Sequence, residues 1–179
     1  MCTSFVLCAD KTYIGMNFDI FDRPILLSLK GSDQLIVLQY DGAGFQHAFG
    51  INQSGTFMNM LMVEPNEAGK YRRGKDCIHV SRLFDEILGG KFDPASVDRL
   101  LIEKAIVNGP AMVSVYNMLA MVGRQVWVVE PGRGVIPFGV TGNDFMALTN
   151  FPLSDFIGRD YSQVTGGGAD RYKTYCLAA

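Results

Sequence analysis

The stretch Met1-Cys2-Thr3-Ser4-Phe5-Val6-Leu7-Cys8 opens the chain, and the fold is read outward from it. Apolar, β-branched and aromatic residues dominate Cys2 to Cys8, and the polar cluster Ala9-Asp10-Lys11-Thr12 closes the run. That pattern predicts a strand followed by a tight turn. Read alone, Cys2 is a small hydrophobe behind the initiator methionine. Removal of Met1 would instead leave one residue carrying both a thiol and a free α-amine. An α-amine titrates at about 7.7 to 8.0 and a free thiol near 8.5, so the amine can take the thiol proton without a histidine.

Tyr13 to Phe18 resumes as a second strand, so the first two elements read as a hairpin. Its far end carries Gly15-Met16-Asn17-Phe18-Asp19, which returns a carboxylate towards the chain start. Asp19 is either a turn cap or a group that holds the α-amine and orients the thiol. Further strands are predicted over Ile25 to Leu29, Gln34 to Tyr40, Phe45 to Ile51 and Thr56 to Met62. The last of these is apolar on both faces, with Phe57, Asn59 and Leu61 on one and Met58, Met60 and Met62 on the other, as in a central strand. The methionines read as core filling. Asn59 reads as a buried structural amide or as an N–H donor to an oxyanion.

Val63 to Asp76 is a polar loop punctuated by glycine and proline. Two helices follow. Val80, Leu83, Phe84, Ile87 and Leu88 recur at helical spacing up to Gly89-Gly90, and Asp93-Pro94 starts a second helix carrying Val97, Leu100, Leu101 and Ala105. His79 is expected inside the first helix in a packing role. Strand character returns over Ser114 to Met121, turns at Gly123-Arg124, and continues over Gln125 to Glu130, Val135 to Phe138 and Phe145 to Thr149. Asn150 then stands at a strand end before Phe151-Pro152, where turn chemistry competes with a catalytic role. Gly166-Gly167-Gly168 lacks the following Lys-Ser/Thr of a phosphate loop, and Asp170 to Leu177 reads as a helix with Arg171 in its first turn.

Composition narrows the function classes. The 179 residues suit one domain, 1–179, and 48 % hydrophobic with 19 % charged is ordinary for a globular protein with a core. A net charge of −2 carries no basic footprint, which argues against nucleic acid as a partner. The chain shows neither a membrane-length apolar run nor a signal-peptide pattern, so a cytoplasmic location is expected. Cys2, Cys8, Cys77 and Cys176 are unpatterned, and His47 and His79 complete no metal-ligand spacing; reduced thiols, no metal and no cofactor are expected.

Cys2-Thr3-Ser4-Phe5-Val6, Gly15-Met16-Asn17-Phe18-Asp19, Gly50-Ile51-Asn52-Gln53-Ser54-Gly55 and Leu148-Thr149-Asn150 stand in an order and spacing that resembles the choloylglycine hydrolase and penicillin V acylase group. That group is similar in turn to acid ceramidase and the isopenicillin N acyltransferase-like proteins, and Asn117 to Glu130 looks most like the acyltransferase-like branch. The resemblance implies an α+β N-terminal-nucleophile (Ntn) hydrolase fold, a four-layer αββα sandwich of mostly antiparallel sheets, with Cys2 opening a central strand. It implies cleavage of a linear, non-peptide amide through an acyl-enzyme, with water or an amine as acceptor. Residue by residue, Asp19 matches the aspartate that holds the α-amine and Asn150 the amide that bonds the amine or the oxyanion. Arg171 matches a late arginine supporting the nucleophile, and Asn59 is the nearest amide to a second oxyanion donor.

Two departures stand out. Met16 replaces the arginine common in the hydrolases, removing a charge that would lower the thiol pKa. The chain is also shorter than such proteins at its C-terminus, so the expectation is either a sheet with an exposed edge that invites homo-oligomerisation or a sequence that is a fragment. The expected partner is a small-molecule amide, and the methionine- and phenylalanine-rich interior is compatible with an apolar acyl group. A catalytically inactive binding or assembly protein on the same fold is the alternative.

Overall fold

The computed structural model describes residues 1–110, 113–121, 123, 125–139 and 145–178. Five strands come first: β1 (Cys2–Cys8), β2 (Thr12–Phe18), β3 (Ile25–Lys30), β4 (Gln34–Tyr40) and β5 (Phe45–Asn52). They fall within a residue of the sequence expectation. The predicted strand Thr56 to Met62 divides into β6 (Phe57–Asn59) and β7 (Leu61–Met62). After β8 (Cys77–His79) come helices α1 (Val80–Leu88) and α2 (Pro94–Glu103), then β9 (Ala105–Val107), β10 (Val115–Met121), β11 (Gln125–Glu130), β12 (Gly134–Gly139) and β13 (Phe145–Leu148). Helix α3 spans Ala169–Ala178. The predicted turn at Gly123-Arg124 includes Arg124, which lies outside the described residues.

β1 is central in a three-stranded antiparallel sheet of order β13-β1-β2. The larger sheet runs β12-β11-β10-β6-β5-β4-β3, with β7 also pairing with β10. Cys2, Val6 and Cys8 on alternate positions of β1 meet Phe57, Leu61, Tyr116, Met118, Val126 and Val128 of the larger sheet, which makes the inter-sheet core. The opposite face of the larger sheet, through Ile36, Met58, Leu119, Trp127 and Val129, packs against α1 and α2. On the outer face of the small sheet, Phe5 stacks on Phe145 and on Tyr175 of α3. The layers are therefore α3, small sheet, large sheet, and α1 with α2: the expected αββα order.

Local sequence explains the helices. Val80, Leu83, Phe84, Ile87 and Leu88 are all fully buried, and each contributes about 1.5–3 kcal/mol of apolar burial. Gly50 lets α1 lie directly on β5, since a Cβ there would stand 2.5 Å from Leu88 Cδ1 and 3.2 Å from the Leu35 carbonyl oxygen. Asp93 caps α2 by accepting from Ser96 N at 2.8 Å. His79 differs from expectation: it precedes α1 as its N-cap, with Nδ1 accepting from Arg82 N at 3.2 Å. The reason is pairing at long range, because Cys77–His79 is held extended by the parallel strand β9, which a 3.6-residue periodicity cannot reveal.

The split between β6 and β7 also has a long-range cause. Asn59 Oδ1 accepts the Met118 amide at 2.8 Å, so a side chain supplies a bond where the β6–β10 ladder is interrupted. The small sheet leaves part of the large one uncovered. Leu29, Leu35 and Ile51 lie side by side across β3, β4 and β5, as do Leu27, Val37 and Phe49 one step along. Phe49 is covered by Phe18 of β2, whereas Leu27 and Leu29 on the edge strand remain 64 % and 78 % exposed. Among the described residues no helix is long and apolar enough to cross a membrane.

Candidate active site

The hairpin register pairs Cys2 with Phe18, so Asp19 emerges beside the chain start as the sequence reading expects. The Met1 ammonium donates to the Asp19 carbonyl at 2.8 Å and stands 3.5 Å from Asp19 Oδ2. Cys2 itself is 7 % exposed and lines a cavity of about 300 Å³ together with Asp19, Met62, Glu64 and Asn150. Ile20, Met60 and Val63 give that cavity an apolar wall.

From the far end of the chain, β13 pairs antiparallel with β1 and carries Asn150 back to Cys2. Asn150 Oδ1 accepts from Cys2 N at 3.0 Å and from Arg171 Nη2 at 2.9 Å, while its Nδ2 donates to the Met62 carbonyl at 2.6 Å. Both ends of the amide are thus committed, which fixes its orientation. The carbonyl end faces the Cys2 nitrogen. Arg171 reaches it from the first turn of α3, where Gly168, at φ +79°, leaves room for the guanidinium.

Behind Asn150 the chain is clamped. Glu130, 1 % exposed, accepts from Leu153 N at 2.6 Å and from Ser154 N at 3.4 Å. Arg133 Nη1 donates to Asp155 Oδ1 at 2.7 Å. Phe151 meets Phe156 and Tyr172 edge to face, which ties the same loop to α3. Sequence reading missed Glu130. Its only local signal is a carboxylate ending the otherwise apolar run Gln125 to Glu130.

The structure brings Cys2, Asp19, Asn150 and Arg171 into one neighbourhood. Asn59 occupies a different place: its Nδ2 donates to Ser4 Oγ, and Asn117 Nδ2 donates to its carbonyl at 2.7 Å. Asn59 thus joins the two sheets behind β1 and does not line the cavity. Met16 pairs with Ser4 on β2 and packs against the inter-sheet core, so an apolar side chain occupies the neighbourhood of the thiol.

Burial pushes the Cys2 thiol above its ordinary pKa, because a thiolate loses hydration there. The Met1 ammonium, the Asp19 main chain and Arg171 oppose that rise, and the Asp19 carboxylate adds to it. Glu130 is likewise raised by burial, against its bonds to Ser154 and Leu153. No group of three or more His, Cys, Asp or Glu side chains is placed to hold a metal among the described residues.

No family model matches the chain, and no curated protein matches it by sequence. Solved structures do. A mutant conjugated bile acid hydrolase from Clostridium perfringens superposes with a TM-score of 0.63 at 19 % identity, over 92 % of this chain and 60 % of that one. A second variant of the conjugated bile acid hydrolase from Clostridium perfringens gives 0.58 at 18 % identity, over 93 % and 61 %. This chain therefore spans about three fifths of the length of those proteins. Its layers, its mostly antiparallel sheets and its N-terminal strand are those of the Ntn-hydrolase fold, which it shares with the conjugated bile acid hydrolases.

Proposed function

We propose that the chain is a cysteine N-terminal-nucleophile amidohydrolase acting on a linear, non-peptide amide. The observation that supports this most directly is Asn150 Oδ1 accepting from Cys2 N beside the Cys2 thiol, in a cavity large enough for a small acyl group. Removal of Met1, which is 61 % exposed, turns that backbone nitrogen into the α-amine. Asn150 then holds one amine N–H, and Asp19 is free of the Met1 ammonium and holds the amine from the other side.

In this reading the amine takes the thiol proton and the Cys2 sulfur attacks the amide carbonyl. The amine next gives its proton to the departing nitrogen, leaving a thioester on Cys2. Water completes hydrolysis; an amine in its place gives acyl transfer, the outcome that the resemblance of Asn117 to Glu130 to the acyltransferase-like branch suggests. Arg171 supports the site through Asn150 and through its charge. One Asn150 Nδ2 hydrogen goes to the Met62 carbonyl, which leaves the second for an oxyanion, and Asn59 contributes as a positioning residue through Ser4. The apolar wall of Ile20, Met60, Met62 and Val63 suits an apolar acyl chain. The proposed setting is cytoplasmic, with a small-molecule partner.

The test is intact mass followed by acyl-donor trapping. Protein lacking Met1 is mixed with a panel of N-acyl 4-nitroanilides and quenched in acid. An acyl mass on the peptide bearing Cys2 supports the reading. Absence of any adduct across the panel, in protein shown to lack Met1, sinks it and leaves a catalytically inactive binding protein on the same fold.

A further inference from the structure

A second cavity, of about 260 Å³, shares no lining residue with the one beside Cys2. It lies between the end of α2, β9 and the turn from β11 into β12. Hydrogen bonds among these segments fix its frame. Asn66 Nδ2 donates to the Pro131 carbonyl at 2.9 Å, Gly132 N to the Ile106 carbonyl at 3.2 Å, and Asn108 N to the Gly69 carbonyl at 2.9 Å. The walls are therefore set by the fold itself, as in most small-molecule sites, which are largely pre-formed.

Three cationic side chains line this cavity, Arg72, Lys104 and Arg133. Their charges are not equivalent. Arg133 is neutralised by Asp155 at 2.7 Å. Arg72 donates Nη1 to the Ala68 carbonyl at 3.0 Å and Lys104 donates Nζ to the Lys75 carbonyl, and neither forms an ion pair among the described residues. Two uncompensated positive charges thus line one chamber, each with N–H donors to spare. Glu130 is the one carboxylic acid in the lining. Its Oε1 is taken by Leu153 N and Ser154 N, its Oε2 is buried without a partner, and burial raises its pKa, so a negative charge there is disfavoured. Leu101, Ile106 and Val135 supply an apolar wall.

We propose that this cavity is a second ligand site, which takes a small phosphate monoester with an apolar body. The charge balance selects the class. A phosphate monoester carries about −1.5 to −2 at pH 7 and presents three acceptor oxygens, which answers Arg72 and Lys104 together, whereas a carboxylate would leave one of them unanswered. The body then lies on Leu101, Ile106 and Val135. This binding needs no chemistry at Cys2 and does not rest on the amidase reading. The site nevertheless adjoins the frame of the first cavity: the loop that brings Arg72 here contributes Val63 and Glu64 to the Cys2 cavity, and Glu130 clamps the chain behind Asn150.

Isothermal titration of the full chain with phenyl phosphate, inorganic phosphate and phenol is the test. Phenyl phosphate is expected to bind saturably at one site, about tenfold or more tighter than either of the other two. Arg72→Gln and Lys104→Gln each remove a charged hydrogen bond and should each weaken phenyl phosphate by about tenfold. Arg72→Lys keeps the charge but not the planar fork of donors, and should recover part of that loss. Neither position belongs to a core cluster, and melting temperatures matching wild type establish that the variants are folded. Arg23→Gln, on the Cys2 cavity, should leave the affinity unchanged. Absence of saturable binding, inorganic phosphate bound as tightly as phenyl phosphate, or a loss of affinity in Arg23→Gln but not in Arg72→Gln and Lys104→Gln would each overturn the assignment.

Discussion

Asn150 and Cys2 are 148 residues apart in sequence, yet the Asn150 side-chain oxygen lies 3.0 Å from the Cys2 nitrogen. The antiparallel pairing of β13 with β1 makes that contact, and Arg171 and the Met62 carbonyl fix the orientation of the amide. Replacing Asn150 with alanine should lower the rate of acyl-enzyme formation on Met1-free protein by about 10²-fold, by analogy with loss of one oriented polar group at a reacting centre. Stopped-flow release of 4-nitroaniline measures it. An unchanged burst rate would show that Asn150 has only a structural role.

Arg171 lies close enough to pull the Cys2 thiol pKa down. Removing its charge therefore moves the thiol further up, so Arg171→Met should carry the pH–rate profile of Cys2 alkylation by iodoacetamide to higher pH. Protein retaining Met1 and protein lacking it are compared within each variant, because the site of the ammonium also acts on the thiol. Coincident profiles for wild type and Arg171→Met would contradict the assignment.

Glu130 makes a pH-dependent contribution to stability of a definite sign. Its pKa in the folded protein is raised, so the unfolded chain binds fewer protons than the folded one between about pH 4.3 and that raised value. Stability from this group is complete below the unfolded pKa and falls as pH rises through the folded one. Glu130→Gln keeps an acceptor for Leu153 N and removes the titration. Its melting temperature relative to wild type should therefore rise between acid and neutral pH. A difference that is flat across that range would refute the linkage.

Asn59→Leu should act on stability first. It leaves the Met118 N–H and the Ser4 hydroxyl without their partners in a buried place, a loss of about 2–4 kcal/mol. For a chain of this size that corresponds to a fall of roughly 5–15 °C in melting temperature. Calorimetry gives the number. If the variant melts like wild type but loses acyl transfer, Asn59 acts at the reacting carbonyl instead.

The uncovered strip through Leu27, Leu29, Leu35 and Ile51 is apolar and includes an edge strand, a combination that favours association. Sedimentation velocity over a concentration series should show self-association of the wild type. The double variant Leu27→Glu with Leu29→Glu should abolish it. A wild type that stays monomeric throughout would remove the expectation of a homo-oligomer.

Much of the fold is legible because it is local. The apolar, β-branched and aromatic run over Cys2 to Cys8 and the turn at Ala9-Asp10-Lys11-Thr12 specify the first hairpin, and with it the return of Asp19. The heptad-like recurrence from Val80 to Leu88 and the Asp93-Pro94 start specify α1 and α2. These signals act within a few residues, where backbone propensity and side-chain periodicity are strongest. The interruption at Met60 and the capping role of His79 escaped the same reasoning, because each depends on a partner strand remote in sequence.

By itself, then, the sequence determined most of the elements, the pairing of the first hairpin and the identity of the residue that opens it; it did not show β8 or β9, where Ala105 opens a strand instead of continuing α2. Tertiary structure alone decided which amide faces Cys2, that Asn59 bridges the sheets, that Glu130 clamps the loop behind Asn150, and that Arg23 shares a wall with Met62. The physical reason lies in strand order. Local patterns say which face of a strand is apolar, but not which distant strand will lie beside or above it. That choice follows from burying all the apolar faces at once while pairing the main-chain polar groups.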